Sequence, residues 1–365
     1  MTLGRVRLAG NSRSTRGNFF EDFRLKQRFV HLPARTLTPG DAALYKALTG
    51  TRFVLQSSEP FAVALGFKTM PFDDLLVFHV VFGMSVGDIS LNAVANLGYA
   101  QLRFGKPLYP GATLSAFSEV IGLKENSDGR TGIVYVRTEG LDETDDEVVS
   151  FVRWVMVSKR DAASPAPDPV IPDLPAVVAP VSLVVPQRID FAASPKEIGS
   201  ALSWDDYAIG ERIDHIDGMT IEEAEHAMAA RLYHNTARAH FNRFTQQAGR
   251  FGKRLVYGGH VISIARALSY NGLGNALAIA AINGGRHANP VFAGDTIFAW
   301  SQVLDKAAIP NADEPFLDRR DCAALRLRLV ATKNLPCAGF PDKVDGKYPD
   351  ELVLDLDYWA IVPRR

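Results

Sequence analysis

The chain predicts an α+β fold built twice over, each half an antiparallel sheet wrapped around one long, buried central helix. Three observations predict it. Residues 101–117 (QLRFGKPLYPGATLSAF) and 284–300 (GGRHANPVFAGDTIFAW) share arginine, proline, glycine and threonine at one offset, with Pro107 on Pro290 giving 290 − 107 = 183. Residues 19–31 (FFEDFRLKQRFVH) and 203–215 (SWDDYAIGERIDH) match at 215 − 31 = 184. Each half then carries an apolar stretch of helical length, 72–86 and 258–270, followed by strand-like segments. A period of ~20–50 residues would signal a solenoid; a period near half the chain signals a duplicated domain.

The elements follow in order. Residues 1–16 are basic and polar with no apolar core, so a flexible arm is expected rather than a secretory signal. The first domain is expected over 17–160: the opening segment 19–31, a helical region of mixed polarity at 38–53, the apolar helix at 72–86, and strands at 108–121, 133–137 and 149–159. Asn126-Ser127-Asp128-Gly129 is a turn between two of these strands, and the acidic run Leu141 to Glu147 is a solvated hairpin tip. Residues 161–198 are rich in proline and alanine without periodicity. Because proline fixes φ and removes donors, they predict an extended linker that packs along a surface. The second domain, 199–365, repeats the order: 203–215, 220–244, the helix 258–270, then strands at 291–304, 325–329 and 353–363. Val152-Arg153-Trp154-Val155 corresponds to Asp357-Tyr358-Trp359-Ala360 near the ends of the copies.

Composition narrows the function. With 365 residues and 47% hydrophobic content, each half can bury its own core. A formal net charge of −1 gives no long-range pull toward nucleic acid or an anionic membrane. The two cysteines, Cys322 and Cys337, form no CxxC or Cys/His pattern. They point to a reducing cytoplasm, without structural zinc or a disulfide framework. No run reaches the ~18 apolar residues of a spanning helix.

The chemistry concentrates in the second copy. Tyr233-His234-Asn235-Thr236-Ala237-Arg238-Ala239-His240-Phe241 is followed about ten residues later by Arg250-Phe251-Gly252 and then Tyr257-Gly258-Gly259-His260. This resembles the MaoC-type (R)-hydratase family of the hot-dog fold, whose signature is a D-x4-H pair on an overhanging loop and an FGxxIxHG stretch opening the central helix. Asn235 and His240 stand at the D and H positions; Phe251-Gly252 and Gly258-Gly259 match the FG and HG. The runs 73–100, 118–126, 231–242 and 257–272 extend the likeness over both copies, to members acting on a branched dicarboxylic acyl-CoA. The resemblance implies a double hot-dog that hydrates mesaconyl-CoA (2-methylfumaryl-CoA) reversibly to β-methylmalyl-CoA. It also implies no metal and no cofactor beyond the coenzyme A of the substrate. The unit implied is a pseudo-dimer within one chain, with further homo-oligomerisation open.

On that resemblance His240 and Asn235 are the candidate catalytic residues, and Gly258 and Gly259 the backbone oxyanion site. A helix N-terminus presents unpaired N–H groups, glycine permits close approach, and histidine moves protons at neutral pH. An amide at 235 cannot take a proton and can only orient by hydrogen bonding, so His240 works alone or another carboxylate assists. Asp41, Asp73, Asp74 and Glu225 are the candidates for that group; a helix-capping role is the other reading of Asn235. The first copy has lost the site: Ala47 falls opposite Asn235, Arg52 opposite His240, and Val77-Phe78 opposite Gly258-Gly259 when His79 is matched to His260. That match assigns His79 and His260 to packing or hydrogen bonding. A dicarboxylic substrate needs a buried cation. Arg52, Arg238 and Arg286 are the candidates, Arg52 first, although Arg286 also reads as a fold anchor shared with Arg103. The rival functions are an acyl-CoA thioesterase and a non-catalytic acyl-thioester-binding protein.

Overall fold

The computed structural model describes residues 15–185, 198–310 and 318–364. The N-terminal arm and the later part of the linker therefore lie largely outside the described residues. Ten antiparallel strands form one sheet: β1 (Arg28–Thr36), β2 (Ala93–Phe104), β3 (Thr113–Glu125), β4 (Thr131–Leu141), β5 (Glu147–Ser158), β6 (Arg212–Thr220), β7 (Ala278–His287), β8 (Thr296–Pro310), β9 (Asp318–Lys333) and β10 (Leu352–Pro363). Their order is β1-β3-β4-β5-β2-β7-β10-β9-β8-β6, so each copy contributes five neighbouring strands and the copies join where β2 pairs with β7. Tyr99 lies opposite Gly285 and Arg103 opposite Ala281 in that join.

Eight helices accompany the sheet among the described residues: α1 (Pro39–Thr49), α2 (Glu59–Ala64), α3 (Asp74–Met84), α4 (Glu223–Leu232), α5 (Arg238–Phe241), α6 (Arg243–Gln247), α7 (Gly258–Leu268) and α8 (Tyr270–Leu273). None is long and apolar enough to cross a membrane. α3 and α7 are the central helices. They share one apolar core with both halves of the sheet, which includes Leu75, Phe78 and Phe82 from α3 and Val261, Ile262 and Ile264 from α7. They run antiparallel. His79 Nε2 meets Ser263 Oγ at 2.9 Å midway along them, while Phe82 near the end of α3 packs on Tyr257 at the start of α7, 5.6 Å between ring centres.

The duplication is legible down to single hydrogen bonds. His31 on β1 bonds Ser118 on β3 at 2.7 Å, and His215 on β6 bonds Ser301 on β8 at 2.8 Å. Thr36–Thr113 and Thr220–Thr296 are matching hydroxyl pairs at 2.7 and 2.8 Å. One expected match is corrected. α3 begins at Asp74 and α7 at Gly258, so the helices superimpose at 258 − 74 = 184, which sets His79 opposite Ser263 and not opposite His260. Asp74 and Leu75, rather than Val77 and Phe78, stand where the second copy has Gly258 and Gly259.

The described part of the linker packs along both copies, first on β3 and then on the second copy. Val170 bridges Leu123, Val178 N–H donates to Asn283 Oδ1 at 2.8 Å, and Trp359 Nε1 donates to the Val178 carbonyl at 3.0 Å. Val178 and Leu183 are buried beside Trp359 and Ile361.

Candidate active site

The overhang that carries His240 is shaped by one tight turn. α4 ends at Tyr233, His234 takes a left-handed φ of 55°, and Asn235 N–H returns to the Ala230 carbonyl at 2.9 Å. The turn lies flat on α3 because position 83 is glycine; a methyl there would overlap the Tyr233 carbonyl. Asn235 is buried, and its Oδ1 accepts from Ala237 N–H at 3.1 Å, an Asx turn that leads into the short helix α5, whose own N-cap is Ala237. The expected capping role is thus corrected to a turn held by its oxygen, while no described residue accepts from its Nδ2.

His240 is half-buried on α5. Its Nδ1 lies 3.0 Å from the Leu255 carbonyl, and Leu255 N–H donates back to the Ala239 carbonyl at 2.9 Å. A carbonyl only accepts, so Nδ1 carries the hydrogen and Nε2 keeps its lone pair. Burial lowers the imidazole pKa to about 4, the Leu255 carbonyl opposes this, and His226 nearby adds to it. The ring is neutral at pH 7 and is a proton acceptor through Nε2.

Three residues after Leu255 the chain enters α7 without a side-chain cap. The amides of Gly258 and Gly259 donate to no described residue, so they remain open at the positive end of an 11-residue helix. His240 reaches this end through Tyr257, the residue before Gly258, at 5.6 Å between ring centres. Tyr257 is held from behind: its hydroxyl lies 3.4 Å from His79 Nδ1, and His79 and Tyr45 both bond Ser263 Oγ at 2.9 Å. His260 lies 3.4 Å from the Tyr233 hydroxyl. Both histidines thus serve packing and hydrogen bonding, through different partners.

Sequence reasoning missed His287. Its ring covers Gly258 so closely that a methyl there would lie 2.5 Å from Cε1, and its Nε2 meets the Tyr99 hydroxyl at 3.2 Å. Burial and the neighbouring His240 lower its pKa to about 4. The repeat held a signal for it: 287 − 183 = 104, and the first copy has Phe104 at that place.

No expected carboxylate joins His240. Asp41 caps α1 and pairs with Arg35 at 2.5 Å, and Glu225 caps α4. Asp73 and Asp74 begin α3, at the far end of the helix pair beside Arg266. The ranking of Arg52 first is also corrected. Arg52 lies 4.8 Å over the ring of Tyr270, just beyond the C-terminus of α7. That is roughly 16 Å along the helix from Gly258 at 1.5 Å per residue. Arg286 precedes His287 on β7, so strand alternation sends it to the opposite face, where it lies 5.6 Å over Tyr348. Arg238 stays on the overhang and donates to Asn92 Oδ1 of the first copy at 2.9 Å. Among the described residues no three His, Cys, Asp or Glu side chains converge as metal ligands would.

Comparison with known proteins matches this architecture. A family model described as mesaconyl-CoA hydratase covers residues 6–316. A β-methylmalyl-CoA dehydratase of Chloroflexus aurantiacus is 57% identical over 97% of this chain and 99% of its own length. A mesaconyl-CoA hydratase of Cereibacter sphaeroides is 53% identical over 95% and 98%. The crystal structure of a MaoC domain protein dehydratase from Chloroflexus aurantiacus superposes with a TM-score of 0.94 at 56% identity, covering 97% of this chain and 100% of its own. A Mycobacterium tuberculosis protein with a double hot-dog fold gives 0.73 at 27% identity, covering 95% and 99%. Two hot-dog halves in one chain, one of them keeping the histidine overhang and the open helix end, belong to the mesaconyl-CoA hydratase family.

Proposed function

We propose that the chain is a hydro-lyase that adds water reversibly to mesaconyl-CoA, giving β-methylmalyl-CoA. The observation that carries the reading is the fixed tautomer of His240, which leaves Nε2 as an acceptor on a ring packed against Tyr257, the residue that precedes the open amides of Gly258 and Gly259. The thioester oxygen sits at those amides. His240 takes a proton from water as the hydroxyl adds to the β-carbon, and the electron pair of the double bond moves to the thioester oxygen. The amides and the helix dipole stabilise the resulting enolate, an effect of about 10²–10³ per donor. The imidazolium then returns its proton to the α-carbon. An anionic substrate beside the ring raises its proton affinity from the ligand-free value of about 4 toward neutrality, where acid–base transfer works best. Asn235 orients the water or the imidazole through Nδ2.

Addition of water leaves the overall oxidation state unchanged, so no redox cofactor takes part, and coenzyme A enters only as part of the substrate. In this reading residues 17–160 shape the acyl pocket, residues 199–365 supply the chemistry, and 161–198 tie the pseudo-dimer together in a cytoplasmic enzyme. The test is to incubate purified protein with mesaconyl-CoA and crotonyl-CoA, following the enoyl absorbance and free thiol separately. Loss of enoyl absorbance without thiol release supports the hydratase. Thiol release makes the chain a thioesterase, and tight binding without either change makes it a non-catalytic acyl-thioester binder.

A further inference from the structure

Arg153 is a cation in the wrong place for a structural residue. It sits on β5, fully buried, with its guanidinium 4.1 Å over the ring of Phe82. Among the described residues its five N–H donors meet only two acceptors, both neutral: Ser85 Oγ at 2.8 Å and Ser90 Oγ at 3.3 Å. Nε is buried with no partner at all. The titratable groups that couple to it are Tyr99 and Tyr257, both buried phenols that stay neutral at pH 7, with no carboxylate among them. Other buried cations in the described residues are neutralised. Lys159 pairs with Glu125 at 2.7 Å, and Arg266 faces Asp73 and Asp74. A buried charge without a counter-charge is costly, and the C-terminal end of α3 supplies only about half a charge to offset it.

The missing anion has a direction. Tyr99 is the cross-strand neighbour of Arg153 on the same face of the sheet, and its hydroxyl bonds His287 over Gly258. Phe82, under the guanidinium, packs on Tyr257, which packs on His240. Arg153 is therefore joined to the live site by two ring contacts, Tyr99 to His287 and Phe82 to Tyr257, and is itself fully buried. A five-carbon methylfumaryl group with its thioester at the Gly258 end keeps CoA toward solvent, so its free carboxylate is the end that points inward.

We infer that Arg153 is the specificity-determining residue that receives the free carboxylate of the substrate, through Nε and the unused hydrogens of its guanidinium. The assignment rests on the hydratase reading and replaces the surface arginines as the substrate's counter-charge. The first copy supplies this cation and the second copy the proton transfer, so the active centre needs both halves.

The test compares kcat/KM for mesaconyl-CoA with that for tiglyl-CoA, which has a methyl group in place of the carboxylate. Arg153→Met should lower the value for mesaconyl-CoA by about 10²–10³-fold and leave tiglyl-CoA within a few-fold of wild type. Arg153→Lys, keeping the charge but not the planar fork, should lose about tenfold on mesaconyl-CoA alone. Without ligand, the melting temperature of Arg153→Met should equal or exceed that of wild type, because the substitution removes an unneutralised charge. Equal losses on both thioesters, no loss on mesaconyl-CoA, or an Arg153→Met protein that does not fold would each overturn the assignment. If wild type hydrates neither thioester, the hydratase reading fails by itself. Carboxylate recognition is then read from thermal shifts with succinyl-CoA and butyryl-CoA. A larger shift with succinyl-CoA that Arg153→Met abolishes sustains Arg153, and equal shifts sink it.

Discussion

Replacing Gly258 with alanine tests whether the open helix end and His287 form one fitted unit. The added methyl would lie 2.5 Å from His287 Cε1, 2.6 Å from Nδ1 and 2.7 Å from Nε2, facing the whole ring. Comfortable carbon contacts are about 3.5–4.0 Å, so the ring must retreat by about 1 Å. It cannot do so freely. The Tyr99 hydroxyl holds Nε2 at 3.2 Å, and the two rings pack edge to face at 5.7 Å. Overpacking of this kind costs about 1–3 kcal/mol, which for a domain of this size lowers the melting temperature by roughly 2–12 °C. The same retreat misaligns the amides against the thioester, and misplacement of about 1 Å costs on the order of 10² in rate. The assay is a thermal melt together with enoyl absorbance under single-turnover conditions. Gly87→Ala is the control, because a methyl there meets nothing within 4 Å, and it should stay within about 0.5 kcal/mol of wild type. A Gly258→Ala protein that melts and turns over like wild type would refute the reasoning.

Further outcomes follow from the same geometry. His240→Ala should lower turnover by about 10²–10⁴ with its fold intact, whereas Arg52→Ala, at the far end of α7, should leave turnover within a factor of two or so; comparable losses from both would place the site wrongly. Asn235→Ala removes the Asx-turn hydrogen bond that leads into α5, costing about 1 kcal/mol, and should slow the reaction without changing the shape of the pH–rate curve. Asn235→Asp keeps that hydrogen bond and adds a titratable group, so a new limb should enter that curve. Burial lowers the pKa of His215 to about 4 and of His260 to about 3. The unfolded chain therefore binds protons that the folded chain refuses. Stability is fully present above about pH 6.5 and falls as pH drops toward 4, by about 1.4 kcal/mol per pH unit for each histidine. Urea midpoints that match at pH 7 and pH 5 would contradict this.

Much of the architecture was legible because duplication writes it twice. The two apolar helices and the closing strands lie where the repeat put them. The join between copies was not legible. β2 (AVANLGYAQLRF) and β7 (AIAAINGGRH) are rich in alanine and glycine rather than β-branched residues, and they become strands because each completes the other's sheet. Matching His79 to His260 by identity misread the helix pairing by three residues, since the real constraint is the contact of His79 with Ser263 between antiparallel helices. Arg52 was misplaced because pairwise alignment carries no information on which end of α7 the segment after α1 reaches. Arg153 was in view as a strand residue, but only the structure reveals that its neighbours hold no carboxylate.

The contact between His79 and Ser263 has a further consequence. In an assembly of two identical chains, the residue on the rotation axis can only meet itself, so a histidine there faces a second histidine and the pair repel when protonated. Fusing the copies removes that restriction. One side evolves a donor and the other an acceptor, and Tyr45 of the first copy can join His79 at the Ser263 hydroxyl of the second. Asymmetry along this line lets one end of the helix pair specialise in proton transfer while the other keeps two half-buried aspartates facing an arginine.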